Sequence, residues 1–250
     1  MIKILIKHNN NYKFPFYLSI MEEIENQKFK KRIIKNLDSL SKDPKKDFQK
    51  TYSLFDKSYI IGGFVRDSIL QVMYNYKFPI NDLDILIKDK NFNKKAEKFQ
   101  KQSKSRFGST KLKYPDFDMD IIEFSHVYFL KDQKNKNIEN FLNGCDLSTS
   151  SFVYDIDKNK IYNKQAIDDI RKKEINILNK NTIKAPTICR LILHADKMKF
   201  KIGKSGRDYI KSNYSLELES AIRKFLEYKN IKHTYPLIKN KIDSIIKKTQ

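Results

Sequence analysis

The sequence predicts an α+β protein: a mixed β-sheet head with flanking helices, followed by a small all-helical domain. Three observations carry this. Between residues 51 and about 180, short β-prone runs such as Tyr59-Ile60-Ile61 and Leu83-Asp84-Ile85-Leu86-Ile87 are interleaved with helical spacing. From Pro186 onward, apolar residues recur at helical intervals. The chain has 250 residues and 40% hydrophobic content, enough for one α/β domain plus a smaller helical one. The expected divisions are 1–50, an N-terminal extension of strand plus helices; 51–185, the head; and 186–250, the helical domain.

Met1 to Lys7 alternates as an edge strand does. Leu18 to Leu40 carries apolar residues at 18, 20, 21, 24, 29, 33, 34, 37 and 40, which suits one or two amphipathic helices. Lys42 to Lys50 is a basic, proline-containing connector. Lys57 to Ile61 is the first strand of the head, ended by Gly62-Gly63. Phe64 to Tyr76 then has apolar residues at 65, 69, 70, 72 and 73, a helical spacing. Asp82 to Ile87 is a second strand, Asn91 to Ser103 an exposed helix, and Lys131 to Asn137 a polar, mobile loop. In the helical domain, helices are expected over 188–200, 216–228 and 237–246. No internal repeat is visible.

The chemistry concentrates in Gly62-Gly63-Phe64-Val65-Arg66-Asp67 and Asp82-Leu83-Asp84. A helix that begins at the glycines points its free N–H groups and positive dipole end at whatever lies there. A phosphate chain suits that spot, and Arg66 offers a fork for its oxygens. Asp82 and Asp84 share one face of their strand because side chains alternate. Leu86 lies beyond them on that face; Leu83, Ile85 and Ile87 point the other way. Two adjacent carboxylates are costly unless a cation lies between them, and hard oxygen ligands suit Mg²⁺. Asn81-Asp82 also has turn chemistry, but the apolar run behind the pair buries the strand.

These residues resemble the head of the class II tRNA nucleotidyltransferase/poly(A) polymerase family, whose pattern is GGxVRD followed by DxD. The resemblance covers roughly residues 55 to 205 and weakens along the chain. Arg106 to Thr110 is similar to the family's FGT segment, and Asp118-Met119-Asp120-Ile121-Ile122-Glu123-Phe124 to its next acidic strand. Asp120 thereby becomes the candidate third carboxylate, with Ser125 where arginine is usual. Residues 138–151 align with the segment ending RRDFTINA, of which Asp146 survives while Gly144 and Cys145 replace both arginines. Pro186 to Ile202 resembles the family's neck helix, with Arg190 retained. The resemblance implies Asp82, Asp84 and Asp120 as catalytic, with Asp82 and Asp84 the ligands of a two-metal Mg²⁺ site. It implies Gly62, Gly63, Arg66, Asp146 and Arg190 as nucleotide-binding, with Asp67 bracing Arg66. A structural salt bridge suits Arg190 about equally well. The substrates implied are a nucleoside triphosphate, ATP and/or CTP, and an RNA 3′ end, tRNA first.

Composition bounds the alternatives. The formal net charge is +21, with pI about 9.7. A polyanionic partner is the direct reading, because basic surfaces bind phosphate backbones by releasing counterions. Codon bias in an AT-rich genome accounts for some of the lysine but not for the shortage of acids. Cys145 and Cys189 give neither a metal cluster nor a disulfide framework, and the four histidines are scattered singly. No run is long enough to span a membrane, and no signal peptide is apparent, so a cytoplasmic location is expected. Three functions therefore stand: a CCA-adding-like transferase, a 3′-tailing enzyme or tRNA-modifying toxin, and a non-catalytic RNA-binding protein on a decayed head. The sequence leaves the oligomeric state open.

Overall fold

A computed structural model describes residues 14–40, 52–79, 82–98, 102–104, 109–114 and 117–247. The expected strand over 1–7 and connector over 42–50 lie outside them. The order begins with helix α1 (Phe14–Ser39), strand β1 (Ser58–Ile61), helix α2 (Gly63–Tyr74) and strand β2 (Asp82–Ile87). Helix α3 (Phe92–Ala96) and strands β3 (Gln102–Lys104), β4 (Thr110–Lys113) and β5 (Asp118–Glu123) follow. Two 3₁₀ turns (Phe124–His126, Tyr128–Leu130) and helix α4 (Ile138–Gly144) lead to β6 (Phe152–Asp155), β7 (Lys160–Asn163), α5 (Ala166–Arg171) and β8 (Glu174–Ile175). The remainder is α6 (Lys184–Met198), β9 (Lys201–Ile202), α7 (Lys204–Asn213), α8 (Leu216–Tyr228) and α9 (Tyr235–Lys247).

Seven strands form one mixed sheet in the order β3-β4-β5-β2-β1-β6-β7. The β2–β5 pair is parallel, and every other neighbouring pair is antiparallel. The parallel pair requires a crossover, which the chain makes through α3, β3 and β4. One face of the sheet, with Ile60, Leu83, Ile85, Met119, Ile121 and Phe152, packs into the main core. The other face carries a smaller cluster of Tyr59, Ile61, Leu86, Phe124, Leu142 and Val153.

Helix α1 belongs to the main core. Phe29 and Ile33 are 0% exposed, and Asn36 Nδ2 donates to Ser68 Oγ at 2.8 Å and to Gln71 Oε1 at 3.0 Å on α2. Such a buried amide tolerates only one register between two helices, because any slip leaves polar groups unpaired. In α6, Ala185, Ile188, Cys189, Leu191, Ile192, Ala195 and Met198 are buried at helical spacing. Leu218, Ile222 and Leu226 of α8, and Ile238, Ile242 and Ile245 of α9, each spaced at three or four residues, join the same core. Ser215 caps α8 by accepting from Leu218 N–H at 3.2 Å. A short parallel pair, Glu174 with Lys201 and Ile175 with Ile202, ties the helical part to the sheet-bearing part.

Three details depart from the sequence expectation. Where one helix is expected over 91–103, the described residues form a five-residue helix, α3, and then strand β3. The segment's lysines and asparagines give little apolar periodicity, so the edge strand is set by pairing with β4. Helix α7 was not foreseen, since Ser205 and Gly206 dilute its pattern; Gly206 is there because an added Cβ would meet Ile202 Cγ2 at 2.7 Å. The helical part also includes the two-residue strand β9.

Candidate active site

The glycine turn comes first. Ile61 ends β1 and Gly62 adopts φ +67° and ψ −127°, a conformation that L side chains avoid. Its N–H donates to Phe152 O at 3.2 Å, and its carbonyl accepts from Arg66 N–H at 3.2 Å, so α2 starts directly from the strand. No side chain caps this helix. The N–H groups of its first turn are therefore left for another acceptor. A Cβ on Gly62 would lie 3.6 Å from Asp84 Oδ2, which puts the turn against the carboxylates.

Register brings the acids together. Ile61 pairs with Asp84 on β2; Asp82 and Asp84 pair with Asp118 and Asp120 on β5. Cα partners share a face, so four carboxylates form a two-by-two array across adjacent parallel strands, about 4.8 Å apart. Asp118 was not singled out from the sequence, although alternation places it with Asp120. Lys111 was missed entirely: it is the β4 partner of Asp120, and its Nζ lies 3.3 Å from Asp120 Oδ2.

The electrostatics follow from this crowding. Burial, then the charges of Asp120 and Asp82, pushes Asp84 up to about 7, against a smaller opposing pull from Lys111. Burial also raises Asp120; Lys111 opposes it, while Asp82 and Asp118 add to it. Asp120 Oδ1 is buried with no hydrogen-bond partner. Crowded carboxylates and an orphaned hard oxygen suit a divalent cation. Among the described residues no group of three or more acids, histidines or cysteines forms a ready cage.

Arg66 is buried beside the turn. Its Nε donates to Asp67 Oδ1 at 2.7 Å, and Asp67 Oδ2 accepts from Lys197 Nζ of α6 at 3.2 Å. Asp67 thus braces Arg66. Arg66 Nη2 lies 3.4 Å from the place a Cβ on Gly63 would occupy, so the guanidinium covers the helix start. Asp146 and Arg190 are brought to each other. Asp146 is buried, its Oδ1 accepting from Leu147 N–H at 3.0 Å and its Oδ2 from Thr187 Oγ1 at 3.2 Å and from Arg190 Nη2. Arg190 keeps about half of its side chain exposed (49%), so it retains a free edge. Burial, then the charges of Arg66, Arg190 and Lys197, holds the His194 imidazole well below the ordinary range and hence neutral at pH 7. Its Nδ1 is buried without a partner.

No protein-family model matches the chain, and no curated protein matches its sequence. Solved structures do. The Bacillus stearothermophilus CCA-adding enzyme in complex with CTP matches with TM-score 0.53 and 17% identity, over 74% of this chain and 49% of that one. The chain shares its fold with a CCA-adding enzyme. A tRNA nucleotidyltransferase complexed with a primer tRNA and an incoming ATP analogue matches with TM-score 0.47 and 18% identity, over 68% and 48%. A tRNA-processing enzyme with CTP gives 0.46 and 16%, over 73% and 54%. The chain spans about half the length of these structures. At 17% identity the likeness to the CCA-adding enzyme concerns the fold alone, a mixed sheet with following helices.

Proposed function

We propose that this protein is a Mg²⁺-dependent nucleotidyltransferase that adds a nucleoside monophosphate from ATP or CTP to an RNA 3′ end, most of all that of a tRNA. The observation that carries the reading is the Asp84–Asp120 pair on adjacent strands, against the uncapped helix start at Gly62. In this reading residues 51–185 act as the head and 186–250 as the neck, in the cytoplasm. Among the described residues no helix is long and apolar enough to cross a membrane.

Asp82 and Asp84 would hold the magnesium, and Asp120 would complete the set or take the proton. Bound magnesium supplies acidification of the 3′-hydroxyl and charge neutralisation at the departing pyrophosphate. The 3′-oxygen bonds to the α-phosphorus, the bond to the bridging oxygen breaks, and pyrophosphate leaves. Gly62, whose own N–H is engaged by Phe152 O, leaves room for the triphosphate, whose oxygens the N–H groups of Gly63 and the first turn of α2 would receive, and Arg66 would offer its remaining N–H groups to the same charge. Arg190 presents its exposed edge from α6, with Asp146 holding it in place. Asp146 itself is engaged by Thr187 and Arg190, so its part is to position Arg190 rather than to touch a ribose.

Gly144 and Cys145 stand where the resembling family has arginines, which keeps a tailing enzyme and a non-catalytic RNA binder as rivals. The deciding experiment incubates the protein with Mg²⁺, each labelled nucleotide, and tRNAs ending at the discriminator base, C, CC or CCA, beside an unrelated RNA. Ordered addition of C then A supports the CCA-adding reading; one residue added to any 3′ end supports tailing. No incorporation beyond an Asp84→Asn control would overturn catalysis.

A further inference from the structure

A cleft of about 600 Å³ opens on the carboxylate-bearing face of the sheet, displaced toward the β7 edge. Asp84, Ile61, Val153 and Tyr162 are successive Cα partners across β2, β1, β6 and β7. Tyr162 is therefore three strands from Asp84, roughly 14 Å at the usual strand spacing. The cleft is separate from the acids and the glycine turn, none of which line it.

Its walls combine three chemistries. Tyr59, Phe124 and Tyr162 supply aromatic surface, with Tyr59 and Phe124 packed edge to face at 6.1 Å. Tyr59 is largely buried. Lys57 and Lys88 line one end, joined by Lys88 N–H donating to Lys57 O at 3.0 Å. Neither ammonium has a carboxylate partner among the described residues, and a third, Lys160, lies 5.0 Å over the Tyr162 ring. Asn137 and Asn163 add polar groups: their Oδ1 atoms accept from Asn140 and Ile167 N–H, which leaves both NH₂ groups as donors. Among the described residues Glu139 is the one carboxylate on the wall.

We propose that this cleft is a second nucleotide site, taking a nucleoside phosphate whose base stacks on Tyr162 and whose phosphate meets Lys57 and Lys88. The volume falls within the ~300–1,000 Å³ usual for small-molecule sites. Aromatic faces stack any base. Unpaired lysines favour phosphate. The asparagine amides and Glu139 match the acceptors and amino groups of a base edge. The proposal does not depend on transferase activity. Free nucleotide and an RNA residue share this chemistry, and the test separates them.

The protein contains no tryptophan, so Tyr162→Trp places a single reporter in the cleft. Its fluorescence is titrated without Mg²⁺ against AMP, ATP, ribose 5-phosphate and hexamers of A, C and U, in otherwise wild-type and in Asp84→Asn protein. Saturable quenching is expected from base-bearing ligands in both backgrounds, with affinity lost at least tenfold in Lys57→Glu/Lys88→Glu. Quenching by AMP or ATP assigns the site to free nucleotide; quenching by hexamers alone assigns it to RNA. No quenching, equal quenching by ribose 5-phosphate, or indifference to the lysine reversal overturns the proposal. Should the tryptophan variant not fold, 8-azidoadenosine and 4-thiouridine crosslinking of the native chain gives the same decision. Adducts on peptides with Tyr59, Phe124 or Tyr162 support the site, and adducts elsewhere alone overturn it.

Discussion

Asp84→Asn should make the protein more stable and abolish the nucleotide transfer proposed above. Asp84 rises from 3.8 to about 7, chiefly through burial and then through Asp120 and Asp82. Its side chain has no hydrogen bond among the described residues, so the amide loses no partner. A carboxyl with a raised native pKa contributes its stability in full below the unfolded value of 3.8, and loses it as pH rises through about 7. Asparagine is immune to that loss. The interval of about three pH units, at ~1.36 kcal/mol each, caps the gain at about 4 kcal/mol. Relaxation of Asp82 and Asp120, and entry of water, should reduce it to about 2 kcal/mol. Urea unfolding followed by circular dichroism at pH 4.5, 6 and 8 should show the variant's advantage growing up to about pH 7 and flat above it. Millimolar Mg²⁺ should stabilise the wild type and not the variant, by mass action on the folded state. Nucleotide incorporation should vanish. An advantage independent of pH, or a variant less stable at pH 8, would refute the crowded-carboxylate account.

Three further outcomes are expected. Lys111→Ala removes the cation that lowers both Asp84 and Asp120, so the acid limb of the pH–rate profile should move to higher pH, with Lys111→Arg restoring it; an unmoved limb would show that Lys111 does not bear on the site. Gly62→Ala meets Asp84 only at ordinary contact distance, so its cost is backbone strain at φ +67°, roughly 1–3 kcal/mol in denaturant melts, whereas a neutral substitution would contradict the turn geometry. Phe29→Ala should cost about 3–5 kcal/mol if α1 completes the core; a loss below 1 kcal/mol would detach that helix from the fold.

The site was legible where its signals are local. Gly62-Gly63 before a helical run, and Asp82 and Asp84 on an alternating strand, state their roles within a few residues. Asp120 came from resemblance alone, because what makes it matter is the in-register pairing of β2 with β5, set across the crossover. Lys111 escaped for the same reason: one lysine among many, distinguished only by facing Asp120 across a strand pair. For Arg190 the sequence leaves a ligand contact and a structural salt bridge equally open; that its partner is Asp146 is something no spacing of 44 residues reveals. The N-terminal helix showed its length through its apolar spacing; that Phe29, Ile33 and Asn36 complete the core against α2 depends on the tertiary fold.

The four-acid array is a negative enclave in a chain with net charge +21. An ionised carboxylate about 5 Å from a phosphate repels it by roughly 3 kcal/mol at an effective dielectric of 20. In the proposed function, lysines would then capture an RNA body without help while its terminus is held off. Capture and placement should answer to different ions: monovalent salt loosens the first, and divalent metal admits the second. Metal-free protein would then be a waiting complex, loaded but unable to start, and metal supply would set when each bound strand is extended.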